Sequence, residues 1–133
     1  DGKIVWSCHI PGDLWPVNAW SVGSIPNLFS INERVAVVIE TPRGRVALVM
    51  VAATNVGNIS MSFDANINTT ERSHERAARE RVYEPSIPVK RGEEMGVFKM
   101  GSTVVMLYEK TVLDPDSADW RMRHVKMGQE VVR

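Results

Sequence analysis

Apolar residues along the chain fall in short runs separated by turn-forming residues. "KIVWSCHI" (3–10), "RVAVVIET" (34–41), "RVALVMVAAT" (45–54), "NISMSF" (58–63), "MGVFKM" (95–100) and "STVVMLYE" (102–109) are rich in Val, Ile, Phe and Met. Most are bounded by Gly, Pro, Asn or Asp, which reads as strands. Between the second and third runs, "TPRG" places Pro42 and Gly44 for a tight turn. Arg34–Thr41 and Arg45–Thr54 are therefore predicted to pair as a hairpin. Strands at this spacing predict an all-β fold, a compact barrel or sandwich rather than a parallel α/β sheet. The stretch "FKMGSTVVML" (98–107) reads as one buried strand with a fault in it, because Gly101, Ser102 and Thr103 interrupt its apolar positions. Glycine inside a strand weakens it and marks a bulge or a close approach of backbones.

One segment departs from the pattern. "TTERSHERAARERVYE" (69–84) is dense in charge and in good helix formers, with Glu75 and Arg79 at a favourable spacing of four. It predicts a short exposed helix or a loop. Arg72, Arg76, Arg79 and Arg81 are candidates for contact with an anionic membrane surface. Glu71, Glu75, Glu80 and Glu84 nearly cancel that charge, so an ion-paired solvated face is the alternative.

Length and charge narrow the classes. A chain of 133 residues fits a single domain, 1–133, able to bury one core without staples. Sixteen basic against sixteen acidic residues argue against a general nucleic-acid binder, which needs a basic surplus, and leave room only for local basic patches. A lone cysteine, Cys8, cannot form an internal disulfide, and nothing in its sequence context marks an activated thiolate. No apolar run approaches the roughly 20 residues of a membrane-spanning helix. The chain opens directly in strand-like sequence without methionine, which suggests a fragment. His9, His74 and His124 lie far apart with no metal-ligand spacing, and no nucleophile elbow or phosphate loop is present. His9, in a predicted strand, reads first as a satisfied or exposed histidine.

The Gly-Ser-Thr interruption has its own chemistry. A serine hydroxyl held against the preceding carbonyl carbon can attack that peptide bond and give an ester. β-Elimination then leaves a dehydroalanine, which hydrolyses to a pyruvoyl group at a new amino terminus. Glycine suits the preceding position, having no Cβ to block approach. Three small residues alone often make a harmless turn, but the surroundings are specific. "KRGEEMGVFKMGSTVVML" (90–107) resembles the signature of the phosphatidylserine decarboxylase family around its Gly-Ser-Thr cleavage site. "IPGDLWPVN" (10–18), "SIPNLFSINERV" (24–35), "VAATNVGNI" (51–59) and "VKMGQEV" (125–131) are similar to that family's other motifs, in the same order. Together they cover nearly the whole chain apart from 69–84.

The resemblance implies a core related to barrel-sandwich hybrids and cleavage between Gly101 and Ser102. It implies a covalent pyruvate cofactor made from Ser102, with Gly101, Ser102 and Thr103 as the catalytic stretch. The implied reaction turns phosphatidylserine into phosphatidylethanolamine and carbon dioxide through a Schiff base. Ala52, Ala53, Asn55 and Gly57 are candidates for the pocket wall, with tight core packing as the alternative, and His9 is a further candidate substrate contact. A peripheral position on the cytoplasmic face of a cell membrane is expected, and exposed strand edges allow a homo-oligomer. The family's activating histidine motif, an aspartate and a membrane-associating portion lie upstream of the segment that "DGKIVW" resembles. The 133 residues alone are therefore expected to remain uncut at Gly101–Ser102. Alternatives are a catalytically inactive lipid-binding relative, an archaetidylserine decarboxylase, or a biotinyl or lipoyl carrier domain. The carrier reading is weak because neither Lys99 nor Lys126 has the preceding methionine of a Met-Lys-Met attachment site.

Overall fold

The computed structural model describes residues 1–54, 58–69, 77–99, 103–112 and 124–129. Its strands are β1 (Gly2–Ile10), β2 (Arg34–Thr41), β3 (Gly44–Val51), β4 (Ile59–Met61), β5 (Arg79–Val89), β6 (Gly96–Phe98) and β7 (Thr103–Tyr108). Two short helices, α1 (Ala19–Ser24) and α2 (Leu28–Ile31), lie between β1 and β2. Five strands form an antiparallel sheet in the order β5-β1-β2-β3-β7, and β4 pairs with β6 as a separate antiparallel ribbon. The fold is all-β, and of the two forms expected it is the layered one. Among the described residues the large sheet is open at β5 and β7, and the ribbon packs on one of its faces.

The period-two pattern decides which face is covered. Val35 and Val37 of β2 and Leu48 and Met50 of β3 point inward and meet Ile4, Ala52, Ile59, Met61 and Ile67 in one buried cluster. The approach is close at Gly96, where a Cβ would lie 2.8 Å from the Ser60 carbonyl oxygen and 2.9 Å from the sulfurs of Met50 and Met61. A larger residue there would push the ribbon off the sheet. β2 and β3 form the hairpin read from the sequence, in register from Arg34↔Val51 to Thr41↔Gly44. Gly44 takes φ +133°, which a side chain would resist, and Thr41 Oγ1 donates to its carbonyl at 2.7 Å.

Three expectations are corrected. The charged segment 69–84 does not stay helical or looped to its end, since Arg79–Glu84 begins the eleven-residue strand β5. Pairing with β1 overrides helix propensity there: Trp6, Ser7, Cys8 and His9 lie opposite Val82, Arg81, Glu80 and Arg79. As an edge strand β5 tolerates its charges and the prolines Pro85 and Pro88. The register shifts between Ile4 and Trp6 on both sides of β1, a bulge that lets the two halves of β5 meet one strand. Residues 70–76 lie outside the described residues.

The second correction concerns 98–107, which is not one faulted strand. β6 belongs to the ribbon and β7 to the large sheet, so the Gly-Ser interruption falls where the chain passes between layers. Third, β7 is not buried: it is an edge, and Val104, Met106 and Leu107 are 47%, 42% and 60% exposed. The helices α1 and α2 were not anticipated. The Asn18 side chain caps α1 by accepting from the Ser21 amide at 2.9 Å, a signal hidden in a segment of mixed pattern.

Candidate active site

One end of the large sheet gathers the motif segments. In its last row Ile10 pairs with Arg34, Arg34 with Val51, and Val51 with Thr103. Thr103 opens β7, and the chain leading to it comes from β6, whose following residue Lys99 donates its amide to the Asn58 carbonyl at 3.3 Å. The two segments 52–58 and 99–103 are thus joined at both ends: Val51 to Thr103, and Asn58 to Lys99. Gly101, Ser102, Asn55 and Gly57 lie outside the described residues, so their placement is not part of this geometry. Ala52 and Ala53 are buried, and Ala52 belongs to the core cluster.

Asn32 fixes this end. It is fully buried, and its Nδ2 donates to the carbonyls of Trp15 and Ala52, each at 2.9 Å. Its Oδ1 accepts from the Trp15 amide at 3.1 Å. One carboxamide thereby ties the segment before α1 to the segment after β3. Thr54 Oγ1 adds a hydrogen bond to the Leu14 carbonyl, and the Ala52 amide donates to the Glu33 carbonyl at 2.8 Å. An asparagine with both ends of its amide used this way is a positioning residue. "SINERV" contains it in plain view, but only the fold shows what it touches.

His9 sits elsewhere. Its Nε2 lies 2.7 Å from Glu33 Oε1, and the row containing it runs His9, Val35, Met50, Val104 across the sheet. From β1 to β7 is three strand spacings, about 14 Å. The structure therefore does not bring His9 to Thr103. His9 instead lines a polar cleft of about 300 Å³ with Ser7, Ala65, Asn66, Ile67, Asn68, Arg79 and Arg81.

The floor of that cleft is a connected network. Ser7 Oγ meets Tyr83 Oη at 2.8 Å, Tyr83 Oη donates to Asp64 Oδ2 at 2.9 Å, and Arg81 Nη1 donates to the same oxygen at 2.9 Å. The Asn66 amide and its side chain both donate to Asp64 Oδ1 at 3.0 Å. Burial pushes the Asp64 carboxyl up, but the hydrogen bonds from Asn66 and Tyr83 and the Arg81 charge outweigh it, and the pKa is lowered. Burial pushes Tyr83 up, reinforced by Asp64 and opposed by Ser7 and Arg81. Burial, and then Glu80, also raise the Cys8 thiol, and the Arg34 charge opposes them. None of Asp64, Tyr83 and Asn32 stood out in the sequence, because each acts through partners distant along the chain.

The lowered pKa sets a pH dependence. A carboxyl with a folded pKa below its unfolded value near 3.9 adds stability above that value and loses it as pH falls through the folded pKa. Asp64→Asn is expected to cost roughly 1–3 kcal/mol at neutral pH, since its acceptors for Arg81 and Tyr83 are weakened. The variant is also expected to show a shallower fall in stability below pH ~4 than the wild type. Urea unfolding across that range checks both, and parallel curves would contradict the assignment.

The family model described as phosphatidylserine decarboxylase matches residues 1–133. A protein of Anaeromyxobacter sp. (strain K), described as a phosphatidylserine decarboxylase proenzyme, is 46% identical over 116 residues, covering 86% of this chain and 41% of that protein. One of Coxiella burnetii (strain Dugway 5J108-111) with the same description is 41% identical over 113 residues, covering 85% of this chain and 39% of that protein. One of Methylobacillus flagellatus, again so described, is 35% identical over 134 residues, covering all of this chain and 47% of that protein. The chain spans less than half the length of these relatives.

Proposed function

Because the chain belongs to the phosphatidylserine decarboxylase family, we propose that the protein containing it removes the carboxyl group of phosphatidylserine after cleaving itself between Gly101 and Ser102. Ser102 becomes a pyruvoyl group at the new amino terminus. That group supplies a carbonyl able to draw electrons from an amine bearing a carboxylate, the service other decarboxylases obtain from a separate cofactor.

The observation that carries this reading is the change of layer between Lys99 and Thr103. A cut between two residues of one strand would open a ladder. Here β6 is held by β4 and β7 by β3, so each side of the junction keeps its own pairing. The six pairs from Val51↔Thr103 to Val46↔Tyr108 retain the piece that begins at Ser102. The residues present therefore fit a group formed by cleavage. Asn32, through Ala52, and Val51, through Thr103, fix the strands on which the junction hangs. Gly101, Asn55 and Gly57 belong to this reading by position in the motifs, Gly101 as the cleaved residue and the others as lining.

Intact mass of the full-length protein tests it. Two pieces are expected, the second starting with a pyruvoyl residue in place of Ser102, together with release of carbon dioxide from phosphatidylserine. An uncut protein that decarboxylates, or a cut at another bond, would overturn the proposal.

A further inference from the structure

Residues directly opposite each other on neighbouring strands share a face, and the inward face of the large sheet changes character across it. On β2 and β3 it is Val35, Val37, Leu48 and Met50, all in the buried cluster. Opposite Val37 and Val35 on β1 stand Ser7 and His9, and opposite these on β5 stand Arg81 and Arg79. Within two strands the face passes from apolar core to two guanidinium groups. Glu80, between them, falls on the other face and accepts from Trp6 Nε1. A charge turned inward costs free energy unless water or a partner meets it. Residues 65–68 complete the lining here without filling the space, and the polar cleft of about 300 Å³ remains.

The acids beside the cleft are already committed. Each Asp64 oxygen accepts two hydrogen bonds, Oδ1 from the Asn66 amide and side chain, Oδ2 from Tyr83 and Arg81. Glu33 is held by His9. No acidic side chain stands among the described residues of the lining, whereas Arg79 and Arg81 both do. Asp64 takes one of the five N–H groups of Arg81, which orients the guanidinium without exhausting it. Asn66 likewise places one of its two Nδ2 hydrogens on Asp64. The network under the cleft thus aims donors at a space that lacks an acceptor of matching charge.

We propose that this cleft binds a small water-soluble phosphate monoester, at a site separate from the Thr103 end of the sheet. Phosphate oxygens take the remaining N–H groups of Arg81 and the second side-chain hydrogen of Asn66. Donors from two segments, β5 and 65–68, suit a tetrahedral group with three free oxygens better than a planar carboxylate. Ala65 and Ile67 are the only apolar residues in the described lining, so acyl chains would find little to cover them. That favours a soluble ester over a lipid headgroup bearing the same phosphate, and the volume suits a small molecule.

The test uses the full-length protein with glycerol 3-phosphate as the probe, and acetate and phosphatidic acid vesicles as separate arms. Calorimetry is expected to give a Kd of about 1 mM or tighter for the probe. Arg81→Gln should weaken binding at least about tenfold. Arg81→Lys keeps the charge but loses the planar fork, and should weaken it at least about threefold. Because the glutamine variant can also fail to fold, a second readout needs wild type alone. Phenylglyoxal labels accessible guanidinium groups, and the probe at about ten times its Kd is expected to slow labelling of Arg81 at least about fivefold, read by peptide mass. Absence of binding to wild type, full affinity in folded Arg81→Gln, or an Arg81 that the probe leaves unprotected would overturn the proposal. Equal protection by acetate would also overturn it, as a general anion effect, and protection by vesicles alone would assign the cleft to lipid instead. So would an Arg81 that phenylglyoxal cannot reach in the free protein, which would mean that another part of the chain fills the cleft.

Discussion

Ser102→Ala in the full-length protein is expected to leave a single uncut chain and to reduce the proposed phosphatidylserine decarboxylation to background, a loss on the order of 10⁶-fold or more. Alanine has no oxygen to attack the Gly101 carbonyl and none to eliminate, so neither the cut nor the new carbonyl can form. Denaturing electrophoresis, intact mass and release of carbon dioxide measure the result. Ser102→Cys and Ser102→Thr retain a nucleophile and are expected to cut slowly or in part. A fully active, uncut Ser102→Ala protein would eliminate the pyruvoyl mechanism.

Asn32→Leu carries the largest expected structural effect. The replacement is close in size, so little cavity opens, but three hydrogen bonds disappear at a fully buried position. The Ala52 carbonyl loses a buried partner outright. The two Trp15 groups are only partly buried, so water recovers some of their bonding. At about 1–3 kcal/mol for each unpaired buried group, discounted for the two at Trp15, the cost is about 2–4 kcal/mol. That is a large share of a stability of roughly 5–15 kcal/mol. The urea midpoint should fall accordingly, and activity should fall further than the folded fraction, because Ala52 precedes the segment beside the junction. A change below about 1 kcal/mol would show that the clamp is replaceable.

The hairpin of β2 and β3 was legible because its signals are local: alternating apolar residues, Pro42 and a glycine where φ must be positive. β5 was not legible, because its charges satisfy solvent on an edge and its strand state comes from pairing with β1, far away in sequence. Membership of the family was readable in the residue types and motif order around Gly101–Ser102, whereas the change of layer between β6 and β7 was not. Helix α1 depends on one cap, Asn18, inside a stretch with no helical period. The buried polar residues were the least visible. Asp64, Tyr83 and Ser7 come from three separate segments, and nothing in each segment alone announces the network.

The order β5-β1-β2-β3-β7 also governs when the segments on either side of the proposed junction can meet their partners. Val51 meets Thr103, and Ile59 meets Phe98, only after loops of roughly 40–50 residues have closed, and such closures are slow and entropically costly. On the ribosome the ladder that holds β7 has no second member until residues 103–108 have left the exit tunnel. A chain still being made therefore has β3 waiting with an open edge. Topology thus acts as a timer, deferring any processing that needs both layers until synthesis has passed the strand it would release.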